Sequence, residues 1–302
     1  LRATAETITI PFMNYVLFDI GGTNMRVASS KDGVTFGEPK IVPTPKDFDA
    51  GIQMLASLAR EVSGGEPITA AGGGIAGPLS RDKATFLNSP HLAGWSGKPI
   101  KKAMEEALGA PVFIDNDTAI VGLGEAVSGA GKGYGIVAYV TVSTGVGGVR
   151  IVNGAIDVSA MGFEPGHQIF DAGGALHATS VGGNGHDLEG YVSGTSISER
   201  YGKKPYEITD EAFWDEMARL LAYGLNNTIV HWSPDVVVLG GSMMNKIGIP
   251  VPRVEAYLRG LLHIFPELPV IVHSALTDFG GIHGALAFVN QQLKQREGSE
   301  IR

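Results

Sequence analysis

Apolar residues along the chain fall into short runs that end in glycine-rich turns, and one such arrangement occurs twice. In the first copy, the run 15–18 leads into Asp19, a Gly-Gly-Thr-Asn turn and further apolar residues at 27–28. In the second copy, the run 138–142 leads into Ser-Thr-Gly-Val-Gly-Gly, followed by 149–152. Short apolar runs bounded by glycine predict strands. The pattern therefore predicts two strand–turn–strand units in a duplicated fold, with the two turns holding one ligand between them.

The two copies can be superimposed by their glycines. This superposition lays Asp19 on Ser143, and Gly21 on Gly145. Either turn alone would also fit an ordinary hairpin. The match between the two favours turns that share a ligand.

Outside these units, the apolar pattern predicts alternating helices and strands. Helices are predicted at 49–62, 99–108, 118–128, 188–201, 211–229, 251–262 and 282–295. Strands are predicted at 34–36, 68–74, 111–114 and 236–239. This alternation favours an α/β fold. We place a domain boundary near Asp117, between a smaller α/β domain at 13–117 and a larger one at 118–302, whose last helix (about 282–295) packs back on the first domain.

The composition is that of a globular protein. Of the 302 residues, 44% are hydrophobic and 18% are charged, with a formal net charge of −8. The negative charge disfavours a nucleic-acid-binding surface, and the chain lacks the run of about 18 apolar residues that a membrane span needs. It contains no cysteine, which excludes disulfides and thiolate metal sites and fits a reducing, cytoplasmic location. Residues 1–12 lack the features of a signal peptide.

A phosphate chain is the ligand that the two turns favour. Glycines let backbone N–H groups converge on an anion where a Cβ would block the approach. Short polar side chains stand at the same places: Thr23, Asn24, Ser143 and Thr144. Asp19, at a predicted strand end, suits a hydrated Mg²⁺ held through one carboxylate. Strand-like residues follow each turn, whereas a helix follows the glycines of a P-loop or a dinucleotide fingerprint.

A second polar cluster, Asp115-Asn116-Asp117, follows the predicted strand at 111–114. A carboxylate at this place, near the predicted domain boundary, can accept the proton of a substrate hydroxyl. Aspartate before a helix is also a common N-cap. The residues alone leave base and cap equally open for Asp117, and Asp115 competes with it for either role.

Five stretches of the chain occur in the order and spacing of the motifs of one family. They are Asp-Ile-Gly-Gly-Thr-Asn-Met-Arg at 19–26, Asn-Asp at 116–117, Thr-Gly-Val-Gly-Gly at 144–148, Glu-Pro-Gly-His at 164–167 and Leu-Glu at 188–189. With these motifs the chain resembles the ROK-family sugar kinases, which share the fold of actin and hexokinase. The resemblance extends from Tyr15 to the last predicted helix. It implies a two-domain actin-like ATPase (ribonuclease H-like) fold with a cleft between the domains.

The resemblance also implies a role for each matching residue. Asp117 would be the general base on the sugar hydroxyl, with Asn116 hydrogen-bonding neighbouring hydroxyls, and Asp19 would serve Mg²⁺. The other members of the implied sugar pocket are Glu164, His167, Glu189, Gly77 and Asn88. The other residues implied to hold ATP are Gly21, Gly22, Thr23, Asn24, Ser143, Thr144, Gly145 and Gly147, with Gly240 and Gly241 bordering the adenosine.

The chain departs from the family at one motif. Most relatives carry Cys-x-Cys-Gly-x-x-Gly-Cys before the Leu-Glu pair, and these cysteines bind zinc together with the histidine of Glu-x-Gly-His. Here Ser180, Gly182 and Asp187 stand in the cysteine positions. A substitute zinc site would draw on His167, His177, His186 and Asp187. A glycine-rich loop without metal is the favoured interpretation.

The function expected from these residues is ATP- and Mg²⁺-dependent phosphorylation of a hexose, of the glucokinase type. Fructokinase, N-acetylmannosamine kinase and N-acetylglucosamine kinase are alternatives within the same chemistry. A sugar-sensing ROK protein without catalysis is an alternative from another class, and Asp117 argues against it. An actin-like filament protein is disfavoured by the Glu-Pro-Gly-His element, while polyphosphate stays open as a donor. The resemblance to the family suggests a homodimer. It also implies that the substrate is a small-molecule sugar.

Overall fold

The computed structural model describes residues 13–88, 90–173, 186–245 and 247–300. They build two five-stranded sheets. The first sheet contains β1 (Tyr15–Ile20), β2 (Asn24–Ser30), β3 (Lys40–Pro43), β4 (Ala70–Ile75) and β5 (Val112–Asn116), in the order β3-β2-β1-β4-β5. The second contains β6 (Ile136–Val142), β7 (Val146–Val152), β8 (Ala155–Ile156), β9 (Val236–Gly240) and β10 (Val270–His273), in the order β10-β9-β6-β7-β8.

The two sheets have the same topology. In each, an antiparallel hairpin (β1–β2 or β6–β7) continues antiparallel to a third strand on one side and parallel to two more on the other. The predicted duplication of strand–turn–strand units is therefore present.

The residue-by-residue superposition of the two units is wrong within the turns. Asp19 precedes the last pair of the β1–β2 ladder, and Thr141 holds the equivalent place between β6 and β7. Asp19 therefore corresponds to Thr141 and not to Ser143. The reason is that Gly21 opens its turn, whereas Gly145 closes the other.

Helices connect the strands and cover the sheets. They are α1 (Phe48–Val62), α2 (Ile100–Leu108), α3 (Asp117–Ser128), α4 (Leu188–Val192), α5 (Gly194–Tyr201), α6 (Glu211–Trp232), α7 (Val251–Leu261) and α8 (Gly280–Glu300). No helix of the described residues combines the length and apolar character needed to cross a bilayer.

Two local predictions were wrong. The predicted helix 188–201 is two helices, because Ser193 has an extended backbone (ψ 152°) and its side chain caps α5 at the N–H of Ser196. The predicted strand 34–36 is a turn, in which Asp32 accepts the backbone N–H groups of Val34 and Thr35 at 2.8 and 2.7 Å. In both places a short polar side chain binds nearby backbone and competes with regular structure.

The helices α3 and α8 lie between the two sheets and cross in close contact. A Cβ built on Gly284 of α8 would lie 1.7 Å from the carbonyl oxygen of Ile120 on α3. One buried apolar cluster contains side chains of both helices and both sheets, among them Leu17, Leu123 and Val149. The helix α8 also packs against β1 and β4. The division into domains at Asp117 stays a prediction.

Candidate active site

Asn116 and Asp117 lie where β5 ends and α3 begins. Asn116 is the N-cap of the helix, since its side-chain oxygen accepts the N–H of Thr118 at 3.0 Å. Its amide nitrogen donates to the carbonyl of Gly77 at 3.3 Å. Asp117 is the first residue of α3, where the helix dipole favours a negative charge. The N-cap position, which the sequence left open for Asp117, thus belongs to Asn116.

Asp115 is engaged by a lysine. The ammonium of Lys83 lies 2.8 Å from Asp115 Oδ1, and that oxygen also accepts the N–H of Asn116 at 2.7 Å. Lys83 lies in a short hairpin with a left-handed backbone (φ 57°). Asp115 is therefore much less suited than Asp117 to take a substrate proton. The sequence alone does not indicate Lys83, because no local motif connects it with a residue 32 positions away.

Gly74 brings the carboxylates of Asp19 and Asp117 into one region. It pairs with Asp19 in the parallel ladder of β1 and β4. A Cβ built on Gly74 would lie 2.7 Å from the Cα of Asp117, so the absence of a side chain lets α3 approach the sheet here. The start of α3 also contacts the second sheet, because Thr118 lies against Gly147 of β7. Asp117 thus lies between the two glycine turns.

Burial raises the pKa values of three acidic side chains in this region, Asp19, Asp117 and Glu164, and a neighbouring negative charge adds to each rise. Burial raises the pKa of Asp19 to about 6, and the charge of Asp117 adds to the rise. Arg26, whose Nη1 lies 3.3 Å from Asp19 Oδ2, only partly offsets it. Burial also raises the pKa of Asp117, with a contribution from the charge of Glu164, whose own pKa burial raises. A cation would relieve this repulsion, and Mg²⁺ is usually held through one or two carboxylates together with waters and phosphates, so Asp19 fits that ion.

The segment after β3 holds the carbonyl side of the first glycine turn. Thr44 donates from its hydroxyl to Gly21 O at 2.7 Å and from its backbone N–H to Thr23 O at 2.9 Å. Lys46 donates from its ammonium to Gly22 O at 2.7 Å. Because C=O and N–H point in opposite directions in a trans peptide, the N–H groups of Gly22, Thr23 and Asn24 face the other side, while the N–H of Gly21 donates to Asn24 O at 2.9 Å. This is the arrangement of an anion-binding turn. No motif in the sequence indicates the contacts of Thr44 and Lys46 with this turn.

The second glycine turn is fastened to α5. The N–H groups of Gly194 and Thr195 donate to the carbonyls of Ser143 and Thr144, at 2.7 and 3.2 Å. A cavity of about 720 Å³ opens beside the turn. Its wall includes Ser143, Thr144, Ser198, Lys204, Tyr206, Ser242 and Asn245. Its volume is in the range of small-molecule sites.

Gly240 and Gly241 lead the chain to this cavity. Gly240 packs against the ring of Tyr139. Gly241 has a φ of 94°, a value that favours glycine, and it turns the chain so that Ser242 reaches the cavity wall. The hydroxyl of Ser242 lies 3.0 Å from that of Ser143.

Glu189 and the Glu-Pro-Gly-His element meet at the second turn. Glu189, in the first turn of α4, accepts the N–H of Val146 through Oε2 at 2.8 Å. Gly166 lies directly against the carbonyl of the same Val146. Pro165 packs on Gly148 of β7. The structure thus gathers these two motifs around the start of β7.

His167 is held by an acidic partner. Its Nδ1 lies 3.1 Å from Asp187 Oδ2. The His167 side chain is 48% exposed, whereas that of Asp187 is 6% exposed. Burial acts to lower the pKa of His167, but the hydrogen bond to Asp187 and the charges of Glu189 and Glu164 outweigh it, so that the pKa is raised.

Two of the predicted sugar residues, Asn116 and Glu164, line a narrow cavity. The cavity, of about 30 Å³, lies between Asn116 and Glu164 and is also lined by Lys83. This volume is on the order of one or two water molecules, so a hexose can enter only if its walls move apart. Gly77 is bonded to Asn116, while the exposed Asn88 accepts a hydrogen bond from the hydroxyl of Ser96 at 3.2 Å.

The zinc site implied by the family does not fit this chain. The thiolate ligands are absent, because the sequence has no cysteine. Within the described ranges, no group of three or more histidine, aspartate or glutamate side chains is arranged to hold a metal. Of the conceivable substitute ligands, His167 and Asp187 are hydrogen-bonded directly to each other. His177, and the positions Ser180 and Gly182, lie outside the described residues.

Comparison with known proteins identifies the family. The family model described as "ROK family" matches residues 15–292. An N-acetyl-D-glucosamine kinase of Escherichia coli O127:H6 is 30% identical over 298 residues, covering 90% of this chain and 97% of that protein.

Solved structures agree with this in fold. The ROK hexokinase from Thermus thermophilus has a TM-score of 0.78 at 26% identity and covers 93% of this chain and 100% of its own. A ROK-family glucokinase from Streptomyces griseus, in complex with glucose and AMPPNP, has a TM-score of 0.76 at 22% identity, with coverage of 92% and 99%. The predicted α/β fold of the actin-like ATPase (ribonuclease H-like) type, with duplicated units, is thereby confirmed. The chain belongs to the ROK family and is similar to its sugar kinases over nearly its whole length.

Proposed function

We propose that the protein transfers the γ-phosphoryl group of Mg-ATP to a hydroxyl group of a hexose, giving ADP and, in the glucokinase-type reaction, the sugar 6-phosphate. The observation that carries the proposal is the location of Asp117. Its carboxylate lies between two glycine turns, beside Asp19 through Gly74 and beside β7 through Thr118. A phosphate chain held by both turns would end next to it.

Asp117 acts as the general base in this reaction. The sugar hydroxyl oxygen attacks the γ-phosphorus, the bond from phosphorus to the β–γ bridging oxygen breaks, and ADP leaves with the electron pair. Asp117 takes the hydroxyl proton as the new P–O bond forms. Its raised pKa makes it a better proton acceptor than an ordinary aspartate, yet it must be ionised to act.

Asp19 is the residue that would hold Mg²⁺, directly or through water. The ion, when bound, would neutralise charge on the phosphate oxygens. Asp19 itself is kept in place by Arg26 and by contact with Gly281 in the first turn of α8.

The two glycine turns and the large cavity form the proposed ATP site. The N–H groups of the first turn would bind the terminal phosphate, while Lys46 holds the carbonyl side of the turn at Gly22. The second turn would bind the preceding phosphates, and the cavity beside Ser143 and Tyr206 would take the nucleoside.

The sugar site is proposed around Asn116, Glu164 and His167. Carboxylate, amide and imidazole groups are suited to recognise hydroxyls on adjacent carbons. Glu189 contributes less directly than the resemblance implied, since one of its oxygens already binds Val146.

The acceptor sugar is the finer part of the proposal. Glucose is the first candidate. N-acetylglucosamine is the second, because the E. coli relative that matches along nearly its whole length is named an N-acetyl-D-glucosamine kinase. Epimeric sugars differ in one hydroxyl contact, so the positions of a few side chains decide which epimer is accepted.

Coupled ADP release tests the proposal. Mg-ATP is offered with glucose, mannose, fructose, N-acetylglucosamine, N-acetylmannosamine or allose, and Asp117→Asn is assayed alongside. We expect turnover on one or two sugars and a loss of about 10²–10⁴-fold in kcat for the variant, the range for a general base. Turnover by Asp117→Asn at the rate of the unaltered protein would refute its role. If no sugar is turned over but sugars still raise the melting temperature, the alternative of a sugar-sensing ROK protein without catalysis would be favoured.

A further inference from the structure

Asp187 uses both oxygens of a buried carboxylate to join two parts of the site. Oδ1 accepts the N–H of Gly190 at 2.9 Å and so caps α4. Oδ2 lies 3.1 Å from Nδ1 of His167. Since a carboxylate can only accept here, Nδ1 carries the proton. The other ring nitrogen, Nε2, is thereby left for a ligand, on a ring that is half exposed.

The two segments joined by Asp187 both contact Val146, where the second turn leads into β7. The helix α4 carries Glu189, whose carboxylate accepts the N–H of Val146. The element that carries His167 rests on the carbonyl of Val146 through Gly166. A change at Asp187 would therefore shift His167 relative to Glu189 and to the turn.

In most ROK relatives, the resemblance implies that zinc makes this junction, bound by cysteines and by the histidine of Glu-x-Gly-His. We propose that in this chain the Asp187 carboxylate replaces the metal: its two hydrogen bonds, which we call the Asp187 clasp, fix the His167 ring so that Nε2 accepts a hydroxyl of the sugar. Asp187 is a positioning residue in this arrangement. The sugar contact rests on the proposed function, whereas the clasp itself does not.

The surroundings of Asp187 support this replacement. The residue is 4% exposed, and a hydrogen bond shielded from water is stronger than an exposed one. Asp187 also stands in the position of one of the cysteine ligands. Its carboxylate is hydrogen-bonded directly to His167, where the relatives have a connection through zinc. His186 carries a buried Nδ1 without a hydrogen-bond partner among the described residues, and for that reason the metal content has to be measured.

The variant Asp187→Asn separates the clasp from the helix cap. Asparagine is as good an N-cap as aspartate, and with its oxygen on α4 it turns an NH₂ group toward His167. Nδ1 of His167 must then accept a hydrogen bond from this NH₂ group, so the ring proton moves to Nε2. Nε2 then becomes a donor toward the sugar, where it was an acceptor before. We expect KM for the best acceptor sugar to rise by about 5–100-fold, the effect of leaving a polar group without its partner, with KM for ATP unchanged.

The matched control is Asp210→Asn. Asp210 caps α6 by accepting the N–H of Ala212 at 3.0 Å, and its side chain bonds no histidine of the described part of the chain. We expect this control to keep the sugar KM of the unaltered protein. Equal sugar KM values for Asp187→Asn and Asp210→Asn would overturn the proposal.

Two further measurements need no catalysis and so remain decisive if the proposed function fails. Elemental analysis of the purified protein should find far less than one zinc per chain. The ¹⁵N shifts of His167, assigned with a His167→Gln variant, should give the Nδ1–H form in the unaltered protein and the Nε2–H form in Asp187→Asn. One tightly bound zinc per chain, lost in Asp187→Asn, would overturn the clasp and restore a metal site, as would an Nε2–H ring in the unaltered protein.

Discussion

Glu125 accepts the backbone N–H of Leu276 at 2.8 Å, across 151 positions of the chain. The same carboxylate accepts the N–H groups of Ala275 and Ala130. Glu125 is 1% exposed, so its lone pairs are satisfied by backbone and not by water. The segment that it holds leads into α8, whose Gly281 touches Asp19. A buried carboxylate on α3 thus fixes the start of α8 against the proposed Mg²⁺ ligand.

Glu125→Gln should destabilise the protein and weaken the Mg²⁺ site together. The new amide nitrogen faces N–H donors, and an unsatisfied buried polar group costs about 1–3 kcal/mol. We expect a lower melting temperature and a higher Mg²⁺ concentration for half-maximal activity. Glu297→Gln, an exposed change on α8, is the control and should alter neither quantity. Unchanged melting and Mg²⁺ dependence in Glu125→Gln would contradict the assigned role.

Replacing Asp19 should stabilise the protein in the absence of ligands while abolishing activity. The pKa of Asp19 is about 6 in the fold against a usual 3.8. Between these pH values the folded state binds a proton that the unfolded state releases, so the free energy of unfolding falls as pH rises from about 4 to about 6 and stays low above it. A shift of two pKa units corresponds to about 3 kcal/mol, and the pKa of about 6 already includes the opposing effect of Arg26.

Chemical denaturation in the presence of EDTA measures this effect. We expect Asp19→Asn to be more stable than the unaltered protein at pH 7.5, by about 2–3 kcal/mol, and the difference to shrink at pH 5. Asp49→Asn, on the exposed side of α1, should leave the pH dependence as it is. A destabilised Asp19→Asn at pH 7.5 would show that the Arg26 pair outweighs the repulsion.

The site illustrates what the sequence does and does not determine. Asp19 and Asp117 could be found because each follows an apolar run that predicts a strand, and strand ends are where such folds place their ligands. Lys83 and Glu125 could not, because their partners lie far along the chain and no local pattern encodes the pairing. The break at Ser193 escaped the helix prediction for a related reason, since a serine inside an apolar pattern becomes a cap only when its backbone is extended.

Lys46 should distinguish ATP from ADP. Its ammonium holds the carbonyl side of the first turn at Gly22 O, and the N–H groups of this turn are proposed to bind the terminal phosphate. Lys46→Met should weaken binding of a non-hydrolysable ATP analogue by about 10-fold or more, the value of a charge-assisted hydrogen bond, and leave ADP affinity nearly unchanged. Isothermal titration of both nucleotides with Mg²⁺ checks this. Lys40→Met is the control, because Lys40 is exposed and pairs with Glu61 away from the turn. Equal losses of affinity for the ATP analogue and for ADP would assign Lys46 a structural role only.

The crossing of α3 and α8 should tolerate no side chain at Gly284. A Cβ there would lie 1.7 Å from Ile120 O, a backbone atom that cannot move away without shifting α3. We expect Gly284→Ala to cost about 3 kcal/mol or more, at the upper end of overpacking effects, and to reduce activity because α3 carries Asp117 on its first position. Gly298→Ala in the same helix meets open space and should instead raise stability by about 0.5–1 kcal/mol through helix propensity. Melting curves of the two variants, measured together, test this prediction. Opposite shifts in melting temperature would establish the glycine crossing as the element that sets the position of the proposed base. Similar shifts would mean that the helices can separate without disturbing that base.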